Sequence, residues 1–195
     1  MTIILGFVCP ALAGEKDKKD APSFRPGRAV TFASKLAQDK VTVAVKAFER
    51  DEDLQSAFGK TPLTRYGVLP VLVVIDNDGA KAVTLRLHVE FIANGQKIGP
   101  MRPMEVRFLK PVKAPTTTDL GKVSPIPLPK KKNPLDTWEV DGRAFVARMV
   151  PAGDSVSGFF YFQTAIWKDA RIVIDGISDS ATGNPFIFFE LPLEP

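Results

Sequence analysis

Few residues in this chain could do acid–base or nucleophilic chemistry. His88 is its one histidine and Cys9 its one cysteine, so the means for proton transfer and thiol attack are thin. Gly153-Asp154-Ser155 resembles a nucleophile motif of one lipase class. In such enzymes, however, the serine leads into a helix and a histidine follows near the C-terminus. Here Ser155 leads into an aromatic run, and His88 lies upstream. The carboxylate pairs Asp51/Asp53 and Asp76/Asp78 have no further acid at a useful spacing. They read as a helix start and a turn. No catalytic residue is assigned, and a non-enzyme is expected. A hydrolase centred on Ser155 is the second of two alternatives.

Metal chemistry has two possible seats. Asp76-Asn77-Asp78-Gly79 is reminiscent of a calcium loop, but Ala80 and Val83 stand where further oxygen ligands are needed. Met101, Met104 and His88 together would make a soft Cu(I) site. Against it, Met104 alternates with Val106 and Phe108 on an inward set, as core filler does, while His88 sits with Arg86 and Glu90 on a polar face. No metal and no cofactor is expected. A periplasmic copper-binding protein is the first alternative.

Charge placement is more telling. From Lys97 to Lys132 nine basic residues face two acidic ones, a local +7 in a chain whose net charge is +4. Most of them, Lys110, Lys113, Lys122, Lys130, Lys131 and Lys132, fall in the stretch 110–134, KPVKAPTTTDLGKVSPIPLPKKKNP, where apolar periodicity is lost. This is a long Pro/Lys-rich loop, and a basic loop attracts polyanions such as acidic lipid head groups or envelope polymer. Nucleic acid is not expected: the chain reads as exported, and no aromatic residues interleave the lysines. An envelope protein, or an anionic polymer or lipid surface, is the expected partner.

The elements that must carry these groups read as strands. The chain has 195 residues, 45% hydrophobic and 25% charged, enough for one domain with a sizeable core; seventeen prolines argue for many loops. The stretch from Gly67 to Phe91 is central. Val71, Val73 and Ile75 alternate with Leu72, Val74 and Asp76, and Val83, Leu85, Leu87, Val89 and Phe91 alternate with polar residues. The pattern predicts two strands joined as a hairpin through Asp76-Asn77-Asp78-Gly79. Further strands are predicted at residues 28–33, 40–48, 104–108, 145–150, 155–163, 171–175 and 185–191, with turns at Asn94-Gly95 and 179–184. Residues 51–58 have acids first and then Leu54, Ala57 and Phe58, the spacing of a short helix crossing between sheets. The aromatic runs Phe159-Phe160-Tyr161-Phe162 and Phe186-Ile187-Phe188-Phe189 put rings on both faces, as strands covered on both sides do. Trp138 and Trp167 are too isolated to form a carbohydrate platform.

Residues 1–13 read as a signal peptide. Ile3 to Cys9 are mostly apolar, and Ala11-Leu12-Ala13 gives a small–x–small cleavage site before Gly14. The missing basic n-region places the expected start a few codons upstream. Residues 14–27 read as a flexible linker and 28–195 as the domain. No later apolar run has the length of a transmembrane helix. The mature chain is expected to be cysteine-free and periplasmic or secreted.

Leu69-Pro70-Val71-Leu72-Val73-Val74-Ile75-Asp76-Asn77, with Val150-Pro151-Ala152-Gly153-Asp154-Ser155-Val156-Ser157-Gly158-Phe159-Phe160-Tyr161-Phe162, resembles uncharacterised exported bacterial proteins with immunoglobulin-like folds. The resemblance implies an all-β, immunoglobulin-like β-sandwich of about 7–9 strands in the cell envelope. It brings no catalytic residues, and the 110–134 loop is not part of it.

Overall fold

In this computed structural model, which describes residues 24–111, 133–164, 169–186 and 188–193, the period-2 stretches form two antiparallel sheets. The first contains β1 (Lys35–Gln38), β2 (Val41–Ala47) and β3 (Val68–Asn77). The second is built on β4 (Val83–Ala93), which pairs with β5 (Gln96–Ile98) and β6 (Met149–Val150) along one edge. Strand β7 (Ser155–Gln163) then joins the first sheet beside β3. The second sheet is completed by β8 (Arg171–Asp179), on the other edge of β4, and β9 (Phe189–Pro192).

All ten residues of β3 are buried. Val71, Val73 and Ile75 face the second sheet, where Val89, Phe91, Ile172, Ile174, Phe189 and Leu191 meet them in an inner core. Leu72 and Val74 face the other way, into an outer core. A strand that is apolar on both faces belongs in the middle of a sheet covered on both sides. This is why the expected hairpin does not form. β3 pairs with β2 and β7, β4 pairs with β8, and residues 78–82 cross from one sheet to the other. Asn77, buried at the crossing, donates its amide hydrogens toward the carbonyls of Lys81, Val150 and Pro151.

The outer core is roofed by helices. Helix α1 (Asp51–Phe58) begins with three acids at its positive end and buries Leu54, Ala57 and Phe58. It connects β2 to β3, neighbours in one sheet, so it lies over that sheet's outer face rather than crossing between sheets. Residues 104–108 are not a strand. Helix α2 (Pro103–Val106) starts there, with Pro103 at its first turn and the Glu105 carboxylate accepting the Arg102 N–H at 2.9 Å. Of the expected inward set only Val106 is buried; Met104 and Phe108 are exposed. Helix α3 (Trp138–Gly142) completes the roof with buried Val140.

Aromatic rings bind roof to sheet. Phe159 of β7 has its centroid 4.9 Å from Phe48, 4.7 Å from Phe58 and 5.5 Å from Phe24. Each such pair contributes about 0.5–1.5 kcal/mol beyond area burial. Phe24 thus already packs on the body, inside the stretch 14–27 that reads as linker; residues 1–23, with the expected signal peptide, lie outside the described residues. Three other expected strands differ, and of these the one expected at 185–191 begins only at Phe189, Pro185 making an isolated bridge to Ser178. Residues 28–33 hold a short 3-10 turn at Ala29–Thr31, and the strand comes later, as β1. Of residues 145–150 only Met149–Val150 is strand, because Ala144 first bridges in parallel to Phe159 before the chain passes to β4. Gly158 permits that approach: a Cβ there would stand 2.5 Å from the Cα of Phe145.

Candidate functional site

The basic stretch emerges from the roof. Lys110 is exposed just beyond α2; Lys113, Lys122, Lys130, Lys131 and Lys132 lie outside the described residues. The two ends of that segment are held side by side. The Asn133 side chain donates to the Arg107 carbonyl, and its Oδ1 accepts the Leu135 N–H at 3.0 Å. Leu135 is buried in the outer core. The Arg107 guanidinium pairs with Asp141 of α3 and lies 3.5 Å from Asp136. Arg107 and residues 133–141 therefore form one base.

Around that base the surface is apolar as well as basic. Met104 is 56% exposed, Phe108 83% and Trp138 62%. Arg143 lies between rings, its guanidinium carbon 5.3 Å from the Phe24 centroid and 5.7 Å from that of Trp138. Burial pulls its pKa below the ordinary arginine value, with Glu139 opposing, and its Nε has no hydrogen-bond partner among the described residues. Beneath it the buried Tyr161 hydroxyl donates to the Val140 carbonyl at 2.7 Å, tying β7 to α3. Burial raises the Tyr161 pKa well above its usual value. The cations flanking α2 are unequal. Arg102 is engaged with Glu105, whose pKa is lowered mainly by that hydrogen bond, and Arg107 with two aspartates. Lys110 and Arg143 have no ion pair among the described residues. What this surface can do chemically is attract anions and cover apolar groups.

The other candidate residues are scattered. His88 is exposed on β4, its Nδ1 3.5 Å from Asp175 Oδ2, in the second sheet. Met101 pairs with Tyr161 at the edge of the first sheet, and Met104 is on α2. The proposed soft ligands are thus not on one face, and the placement of Met104 in the core is corrected to exposed, since α2 turns Val106 inward instead. Ser155 opens β7 opposite Asp76 in the first sheet, away from the strand bearing His88. At Asp76-Asn77-Asp78 the cation is Arg28. Its Nε donates to Asp76 Oδ2 at 3.0 Å and its Nη2 to Asp78 Oδ1 at 2.6 Å, which raises its pKa. Among the described residues, no three His, Cys, Asp or Glu side chains gather to hold a metal. The clefts among the described residues include one of about 270 Å³ beside α1 and one of about 320 Å³ between Leu87 of β4 and the stacked rings of Phe145 and Phe160.

Phe108, Trp138 and Arg143 are the residues that strand periodicity overlooks. Signals for the short helices are nonetheless present: Pro103 in the first turn with Glu105 close behind, and Thr137 just ahead of Trp138-Glu139. The chain matches no protein-family model, no curated protein and no solved structure.

Proposed function

We propose that this chain is an exported, non-catalytic binding protein of the bacterial cell envelope, an immunoglobulin-like β-sandwich that docks to anionic surfaces through its basic segment. One observation carries the docking reading: the residues on either side of 112–132, a segment with five lysines and one aspartate, are fastened to one base by Asn133, Leu135 and the Arg107–Asp141 pair. The residues that flank the segment are thereby held together at one place on the molecule. Two antiparallel sheets packed face to face support the sandwich reading, and the Ala11-Leu12-Ala13 pattern supports export.

The magnitude favours weak, salt-sensitive binding. A lysine near an anionic surface contributes about 1 kcal/mol, so Lys130, Lys131 and Lys132 supply roughly 3 kcal/mol at low salt. Physiological salt screens this beyond about 8 Å. The test replaces these three lysines with serine and measures binding to anionic vesicles and to a soluble acidic polymer at low and high ionic strength. Loss of most binding with an unchanged melting temperature is expected. Equal binding by both proteins, or none by either at low salt, would defeat the proposal.

A further inference from the structure

We propose that the outward surface of α2 and α3 is a membrane-insertion face, in which Met104, Phe108 and Trp138 enter the head-group region of an anionic bilayer. This rests on the docking reading above and deepens it, choosing a lipid surface over a soluble polymer. The geometry starts from what each helix hides. On α2, Val106 is fully buried and Arg107 is turned toward α3 by its pairing with Asp141. Met104 on α2 and Phe108, in the turn just beyond its end, flank this buried Val106 and are both exposed. On α3, Val140 is buried while Trp138 is exposed. All three are more than half exposed.

These tips stand on a firm support. Val106, Leu135 and Val140 beneath them have no exposed surface, and the Tyr161–Val140 hydrogen bond fixes α3 to the sheet. Unbranched and aromatic apolar side chains set among lysine and arginine are the groups that seat at a membrane–water boundary, with rings at head-group depth and cations at the phosphates. Lys110, exposed and free of ion pairs among the described residues, is a cation available for those phosphates, whereas Arg143 is held between rings and Arg102 and Arg107 are already neutralised by their partners. A polyanion without an apolar phase would gain nothing from three exposed apolar side chains. A folded protein partner needs more: at most about 250 Å² each and only 56%, 83% and 62% exposed, the three side chains offer at most about 500 Å², against the roughly 800 Å² per partner of a stable interface. A bilayer needs only the tips.

The test uses the mature chain with vesicles of mixed phosphatidylcholine and phosphatidylglycerol, brominated lipid as quencher, and polyglutamate as a soluble anion. Wild type is expected to bind the vesicles with quenching of tryptophan emission, and Trp138→Phe to remove most of that quenching. The triple variant Met104→Ser, Phe108→Ser, Trp138→Ser is expected to bind vesicles about a hundredfold more weakly, about tenfold for each ring, while its polyglutamate binding is unchanged. Phe108→Ser alone, at the most exposed position, should show the tenfold loss with an unaltered melting temperature, and guards against a triple variant that folds poorly. Vesicle binding by the triple variant equal to wild type, or binding without quenching, would overturn the insertion face and leave electrostatic docking standing. Failure of wild type to bind either anion would bring down the docking reading and the insertion face with it.

Discussion

Replacing Asn77 by Asp should destabilise the protein more than replacing it by Ala, and the excess should depend on pH. Asn77 is 1% exposed, and its amide nitrogen lies 2.8 Å from the Lys81 carbonyl oxygen, 3.1 Å from that of Val150 and 3.0 Å from that of Pro151. Its Oδ1 accepts the Gly79 N–H at 3.0 Å. One side chain thus holds the crossover, β6 of the second sheet, and the turn that leads back into the first. Alanine strands about two buried carbonyls and costs about 2–4 kcal/mol. The aspartate keeps the Gly79 contact but aims an acceptor at three acceptors in a buried site, for a cost of about 4 kcal/mol or more. At this chain length that lowers the melting temperature by roughly 8–16 °C.

The pH dependence has a definite sign. Burial among carbonyls favours the neutral form of the introduced carboxyl, so its folded pKa lies above its unfolded one. The variant is then least handicapped below the unfolded pKa and loses stability as pH rises through the folded pKa. Urea unfolding followed by tryptophan fluorescence at pH 5 and pH 7.5, each referenced to wild type, reads both effects. An Asn77→Asp variant within about 0.5 kcal/mol of wild type at pH 7.5 would mean that the amide does not join the sheets as described.

Two other expectations are as direct. Gly176 has φ +82°, and a Cβ there would stand 2.0 Å from the Arg86 carbonyl oxygen, where β4 and β8 slip register; Gly176→Ala should cost more than about 2 kcal/mol by thermal melting. Tyr161→Phe should cost about 1–2 kcal/mol by urea unfolding, for the lost bond to Val140. Burial raises the Tyr161 pKa from its ordinary 10.0, so its contribution is complete below that value and is lost as pH rises above it. The Phe variant should lack that part of the alkaline decline.

Local pattern made several elements readable in advance. Val41, Val43 and Val45 mark β2, the aromatic run marks β7, the acidic start marks α1, and Asp179, whose pKa is lowered by the Thr182 and Ala181 N–H groups bonded to it, marks the turn after β8. Partner choice was not readable, because pairing joins residues far apart in sequence. The clue was that Leu72 and Val74 are as apolar as Val71 and Val73, which disfavours an edge or a half-exposed hairpin and demands cover on both faces. At 104–108 alternation over five residues cannot separate strand from helix, and there Pro103 and Glu105 decide.

The same ambiguity hid half of the candidate site. Lysine charge is visible in composition wherever it falls, so the basic stretch could be named from sequence. An exposed Phe108 looks like a core Phe until the burial of Val106 shows which way α2 is turned. The order of causes then runs outward from β3. Because both its faces are apolar, its sheet needs a roof; because the roof is made of short helices, some side chains of each helix must point to water. Met104, Phe108 and Trp138 are those side chains, where polar ones would have served the fold equally well. A roof needs Val106, Val140 and Leu135, but nothing in folding asks for a phenylalanine on the side away from them. That surplus, at the base of the most basic stretch of the chain, is the observation on which the docking proposal and the insertion face rest.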